Sequence, residues 1–171
     1  KDAQIEDEVL SKIASQLEKG NAARNVALNG EELNSIKALG LLTAKPIIYA
    51  SNLTEDTLEK GNEYSQTIDS LSKEQGAESI NISAQVESEL IELNKEERDD
   101  YLNGLGVKEG GLQSLIKATY RLLGLRTYFT SGEKETRAWT IKKGMTAPEA
   151  AGVIHTDFER GFIRAQTIAY K

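Results

Sequence analysis

Ile5, Val9, Ile13 and Leu17 recur every fourth residue with charged positions between them, one stripe of an amphipathic helix over about residues 1–20. Lys19-Gly20-Asn21 ends that stripe, which is too short for a coiled coil and suits a helical-hairpin arm. After a turn at Asn29-Gly30, a second helix is expected from Glu31 to about Leu42, with Leu33, Ile36, Leu39 and Leu42 inward. Lys45-Pro46-Ile47-Ile48-Tyr49-Ala50-Ser51 breaks this spacing. Its β-branched apolar centre, flanked by helices, predicts a buried parallel strand, with Pro46 tolerated only at the start. Helical spacing returns over residues 62–75 through Tyr64, Ile68 and Leu71, and Gly76 stands where a helix-ending glycine belongs. Ser79-Ile80-Asn81-Ile82-Ser83 reads as a second short strand.

Val86, Leu90 and Leu93 then share a helical face, and Asn94-Lys95-Glu96-Glu97 carries the polar cap and third-position acid of a capping box. A longer helix is expected from Leu112 to Leu123, burying Leu112, Leu115, Ile116, Thr119 and Leu122 and ended by Gly124. Beyond it the texture becomes β-rich. Residues 126–130 and 136–141 predict a hairpin turning at Ser131-Gly132-Glu133. Thr146-Ala147-Pro148-Glu149 opens a short helix through Ile154, and Phe162 to Tyr170 is expected to be a third strand. A domain boundary is placed at 124–127. Both ends of the sequence fall inside predicted elements, so the chain is expected to be part of something longer.

Strand, helix, strand with polar loops at the strand ends is the pattern of an α/β sheet, where ligands bind outside the carboxyl ends of the strands. The loops to watch are therefore Asn52–Asp56 and Ser83–Gln85.

Composition sharpens this picture. The 171 residues are 39% hydrophobic and 28% charged, which reads as a soluble globular protein. No stretch approaches the ~20 apolar residues of a membrane span, and no signal segment opens the chain. Zero cysteines exclude disulfides, thiol catalysis and Cys-ligated metal sites and fit a cytosolic protein. The net charge of −6 argues against simple nucleic-acid binding only until it is divided along the chain. Residues 1–124 carry 13 basic against 22 acidic side chains, whereas residues 125–171 carry 8 against 5. The two parts are expected to meet different partners.

Candidate chemistry is sparse. No GxxxxGK[ST] phosphate-binding loop is present, since Gly104-Leu105-Gly106 and Gly110-Gly111 lack both its spacing and its lysine. The acidic residues are spread along helix faces as solvated surface. The single histidine, His155, has Asp157 and Glu159 close by, but without a second His or Cys a structural hydrogen bond or surface contact is the better reading than catalysis. The basic tail interleaves Arg137, Lys142, Lys143, Arg160 and Arg164 with Trp139 and Phe162. Such a mixture fits a single-stranded or ribosomal RNA surface, and equally a small domain with its aromatics inside.

Several stretches together resemble the YchF/Obg-like ATPase family. They are residues 134–141 (KETRAWTI), 146–152 (TAPEAAG) and 153–165 (VIHTDFERGFIRA), with Leu122-Leu123-Gly124-Leu125, Thr127-Tyr128-Phe129-Thr130 and Leu42-Thr43-Ala44-Lys45-Pro46 behind them. The resemblance covers about residues 30–171, and it implies a P-loop G domain, an inserted helical arm and a C-terminal TGS domain of β-grasp type. This chain would hold the end of the arm (1–30), the last part of the G domain (31–124) and the first part of the TGS domain (125–171). The family's phosphate-binding and Mg²⁺-binding elements would lie upstream of it. The resemblance further implies a cytoplasmic, ribosome-associated hydrolase preferring ATP to GTP, with the ribosome or ribosomal RNA as partner and neither membrane nor DNA.

Most GTPases carry an N-K-x-D motif at the first of the two loops, its Asp accepting hydrogen bonds from guanine N1–H and the 2-amino group. Here Leu53 stands at the Lys position and Glu55 at the Asp position. Asn52 is expected to brace the loop, Leu53 to contact adenine with apolar cover and backbone groups, and Ser83-Ala84 to close the base pocket. The alternative is a non-enzymatic module that only contacts ribosome, RNA or protein.

Overall fold

The computed structural model describes residues 2–169, in two compact units, Lys1–Ser114 and Leu115–Lys171. The first unit is α/β. Helix α1 (Asp2–Glu18) is followed by short 3₁₀ turns and by α2 (Gly30–Ile36), which Asn29 and Glu32 open with a capping box. Strand β1 (Ile48–Asn52), helix α3 (Glu63–Glu74) and strand β2 (Glu78–Ile82) form the predicted unit. The strands pair in parallel, Ile48 opposite Glu78 through Asn52 opposite Ile82, and α3 packs on both. Gly76, at φ +62°, ends α3 as its position implied. Helices α4 (Ala84–Leu90) and α5 (Lys95–Gly104) follow, and α6 begins at Gly111 and runs to Leu122.

Two apolar clusters hold this unit. Val9 and Ile13 of the α1 stripe meet Ala23 and Ile36. Leu53 and Leu58 after β1 meet Val86 and Leu90 of α4 and Leu102 of α5. The second predicted helix is shorter than expected. It passes at Lys37–Leu39 into a 3₁₀ turn that Gly40 closes in the left-handed region (φ +58°). Of its four expected core residues only Ile36 is buried, and Leu33, Leu39 and Leu42 are exposed. In α3, likewise, Ser65 and Ser72 are buried whereas Tyr64 is exposed. In α6 the buried residue is Ala118, and Leu112 and Ile116 are exposed. An apolar stripe shows which face can be covered, and its cover is a separate matter.

In the second unit, β3 (Leu125–Ser131) and β4 (Thr136–Lys142) form the predicted antiparallel hairpin, Leu125 opposite Lys142 and Ser131 opposite Thr136. Gly132 N–H donates to Glu135 C=O across its loop. Helix α7 (Ala147–Gly152) opens on the expected Thr146–Glu149 capping box, and α8 (Thr156–Arg160) packs against it. The Tyr128 hydroxyl donates to Ala150 C=O at 2.9 Å and so ties β3 to α7. Burial pushes that phenol's pKa up.

The expected third strand over Phe162–Tyr170 is not formed over residues 162–169, and Tyr170 lies outside the described residues. Ile163 and Ile168 are 91% and 86% exposed. A strand is held by a neighbour's N–H and C=O groups, and β3 and β4 pair only with each other among the described residues. The β-rich sequence alone therefore leaves residues 162–169 without regular structure. Among the described residues no helix is long and apolar enough to cross a membrane.

The two clusters make a direct prediction. Ile13→Ala, at a side chain 2% exposed, should destabilise the first unit by about 2–5 kcal/mol in urea unfolding. Leu42→Ala, at a side chain 79% exposed, should stay within about 0.5 kcal/mol. Equal effects would mean that apolar pattern, not burial, sets the stability here.

Candidate functional site

Parallel pairing brings the carboxyl ends of β1 and β2 side by side, so the two loops anticipated from the sequence open together. Asn52 is the last residue of β1, and Ala84 is the first of α4. The Asn52 Oδ1 accepts the Ala84 N–H at 3.0 Å, which joins the loops directly. Leu53 N–H donates to Ile82 C=O at 2.7 Å and carries the ladder one residue beyond the strand. Ser83, 1% exposed, caps α4 as its Oγ accepts the Val86 N–H at 3.4 Å.

Leu53 departs from expectation. Its side chain is 8% exposed and lies in the core with Leu58, Val86, Leu90 and Leu102. It anchors the loop from beneath and does not provide apolar cover on the open side; the physical reason is the hydrophobic gain of joining that cluster. Any contact Leu53 makes with a base is left to its backbone.

Glu55, exposed, opens a single 3₁₀ turn, Glu55–Thr57. With Asp56, Glu59, Gly104 and Leu105 it lines a shallow cavity of about 410 Å³. Three carboxylates around one recess repel anions.

Two contacts that the sequence did not suggest stiffen α4. The Tyr101 hydroxyl of α5 donates to Glu89 Oε2 at 2.5 Å, and Gln85 Nε2 donates to Glu89 Oε1 at 3.2 Å. These hydrogen bonds, Tyr101 first, hold the Glu89 carboxyl below its ordinary pKa. The bond to Glu89, then burial, then the neighbouring Glu55 charge push the Tyr101 phenol up to about 12. Gln85 follows Ala84, so the latch reaches the first turn beside the loops. The second contact is at Gly111, whose N–H donates to Glu87 Oε1 at 2.5 Å. A Cβ on Gly111 would stand 2.8 Å from the Ile82 side chain and 2.9 Å from its Cα, so only glycine fits against the end of β2. Tyr101 sits in an acid-rich helix and Gly111 in a glycine pair, and neither carried a spacing that could have marked it.

The basic candidates of the second unit are dispersed. Arg137 lies over the Trp139 ring at 4.3 Å, while Trp139 Nε1 donates to Thr130 Oγ1 at 2.9 Å. Lys142 ends β4 and Lys143 follows it. Arg160 ends α8, and Arg164 lies in the segment without regular structure. His155 caps α8, its Nδ1 accepting the Asp157 N–H at 3.2 Å, which is the structural role expected of it. Among the described residues no group of three His, Cys, Asp or Glu is placed to hold a metal.

A parallel β pair with joined loops at its carboxyl ends is the place where α/β proteins bind their ligands, and similarity to known proteins narrows the class. Residues 125–171 match the family YchF-GTPase_C, described as "Protein of unknown function (DUF933)". The chain is 51% identical to the ribosome-binding ATPase YchF of Bacillus subtilis (strain 168), over 100% of this chain and 47% of that protein. It is 47% identical to the ribosome-binding ATPase YchF of Escherichia coli O157:H7, again over 100% of this chain and 47% of that protein. The structure of the Schizosaccharomyces pombe YchF GTPase superposes with a TM-score of 0.80 at 39% identity, over 91% of this chain and 42% of that one. The chain belongs to the YchF family, and it spans about half the length of the curated relatives it matches.

The Tyr101 latch can be read by titration. A phenol raised above its ordinary 10.0 stabilises the fold fully below pH 10, and that contribution is lost as the pH rises through about 12. An ultraviolet tyrosinate titration should show a phenol ionising at about 12 that Tyr101→Phe removes. Identical titrations of both proteins would sink the latch.

Proposed function

We propose that this chain is the base-binding and C-terminal part of a cytoplasmic, ribosome-associated nucleotide hydrolase that binds and hydrolyses ATP in preference to GTP. The observation that carries the reading is the Asn52–Ala84 hydrogen bond, which sets the two loops of a base pocket at the ends of parallel strands. The names of the relatives, ribosome-binding ATPases, support ribosome association and nucleotide hydrolysis.

Within that reading Asn52 braces the pocket, Leu53 fixes its loop to the core and offers backbone groups to the adenine amino group, and Ser83-Ala84 closes it. Glu55 cannot read guanine as an aspartate would, because its carboxylate is one methylene further from the backbone. The acid-lined recess of Glu55, Asp56 and Glu59 favours the base over the phosphates. Phosphate and Mg²⁺ contacts are assigned to upstream residues, as the family resemblance implies, and this sequence has no GxxxxGK[ST] loop. Residues 1–30 are read as the end of the helical arm, 31–124 as the last part of the G domain and 125–171 as part of a β-grasp TGS domain. RNA or ribosome contact falls to that last part, with neither membrane nor DNA as partner.

The test is base preference in the full-length protein. Glu55→Asp should shift the ratio of ATP to GTP affinity toward GTP by several-fold, measured by calorimetry. Asn52→Ala should weaken both nucleotides, because it frees the two loops from each other, with about 0.5–1.5 kcal/mol lost from stability. An unchanged ratio in the first variant, together with unchanged affinity in the second, would remove the pocket from these loops.

A further inference from the structure

The end of α6, the turn after it and the start of the hairpin enclose an open groove of about 730 Å³. Four cations line it, Lys117 and Arg121 from α6, Arg126 from β3 and Lys143 from beyond β4, together with Tyr120 and Ile116. No carboxylate is among its lining residues. The gathering follows from local structure. Lys117 and Arg121 stand four apart and so share a helix face. Gly124, at φ +63°, reverses the chain and brings Arg126 back beside them. The Lys143 N–H donates to Gly124 C=O at 2.6 Å, which pins the fourth cation to the same turn.

Arg121, in the last turn of α6, also complements the negative end of the helix dipole. That role does not extend to Arg126 and Lys143, which belong to other elements. The groove's volume lies in the range of about 300–1,000 Å³ that takes compact ligands. Its lining pairs cations with an aromatic and an aliphatic side chain, the combination that meets phosphodiester charge and base faces at once. An acidic peptide would use the charges and leave the aromatic without purpose.

We infer that this groove binds single-stranded RNA, with Arg126 and Lys143 on the phosphodiester backbone and Tyr120 as the surface on which a base stacks. The inference rests on the ribosome-associated reading above and deepens it. It moves the RNA contact from the scattered Arg137, Lys142, Arg160 and Arg164 to a built groove of which only Lys143 was anticipated.

The experiment titrates the full-length protein with a fluorescein-labelled oligouridylate by anisotropy, across a series of salt concentrations. Arg126→Glu with Lys143→Glu should weaken binding at least tenfold and flatten the salt slope by about 1.4, about 0.7 for each phosphate no longer neutralised. The neutral pair Arg126→Gln with Lys143→Gln should fall between this variant and the parent, which separates the removal of charge from damage to the fold. Lys95→Glu with Lys134→Glu makes the same change of net charge outside the groove and should keep the slope. Tyr120→Leu should weaken binding about tenfold, and Tyr120→Phe should retain affinity. Equal weakening in the groove and control pairs would overturn the proposal in favour of diffuse charge. Unchanged binding in the groove pair, or polyglutamate competing as well as RNA, would overturn it too. Co-sedimentation of the unsubstituted protein with ribosomes tests the ribosome-associated reading separately, so neither result decides the other.

Discussion

A single side-chain hydrogen bond, from the Ala84 N–H to Asn52 Oδ1, decides what the first unit can present to a ligand. Parallel pairing places the ends of β1 and β2 side by side, but adjacency alone leaves two independent loops. The bond makes them one. It also draws on the start of α4, where Ser83 supplies the cap and the core fixes Val86 and Leu90. The packing of Leu53, Leu58 and Leu102 against α4 is therefore inseparable from the geometry at the loops. Tyr101 acts from the far side, holding Glu89 and through it Gln85, so that the first turn of α4 is tied at both faces.

Much of this was legible in sequence because it depends on local chemistry. Asn29, Asn62, Asn94 and Thr146 each open a helix through a capping box, and two of those boxes were recognisable from the spacing of cap and acid alone. The short β-branched runs around Ile48 and Ile80 became strands, and their ends became the candidate loops. What could not be read was partnership. Leu33, Leu39, Leu42, Leu112 and Ile116 fit helical stripes but remain exposed, because periodicity does not supply the surface that covers them. The segment after Gly161 fails as a strand for the same reason, since its hydrogen bonds require a neighbour. The two candidate loops were found because strand order points to strand ends. Tyr101 and Gly111 were missed because their importance lies in contacts across 12 and 24–29 residues of chain, respectively.

The two units solve different problems of burial. Residues before 115 build two apolar clusters, whereas in the described part of the second unit only Ala118 is fully buried. The second unit relies instead on polar ties from half-buried aromatics, Tyr128 to the Ala150 carbonyl and Trp139 to the Thr130 hydroxyl, with Arg137 laid over the indole. A domain organised this way keeps a large share of its side chains at the surface.

The burial of Leu53 has a consequence for how such a site can change over generations. In a GTPase-type loop this position is a lysine, and here it is a member of an apolar cluster, 8% exposed. A lysine arriving alone would have to lose its hydration or wrench the loop out of the core, so the exchange is costly unless neighbours change first. Glu55, on the surface, has no such restraint. The two halves of the motif therefore differ in mutability: one is free to drift while the other is locked by epistasis with Leu58, Val86 and Leu90. A lysine at position 53 is therefore reachable only along a path that first remodels the cluster beneath the loop.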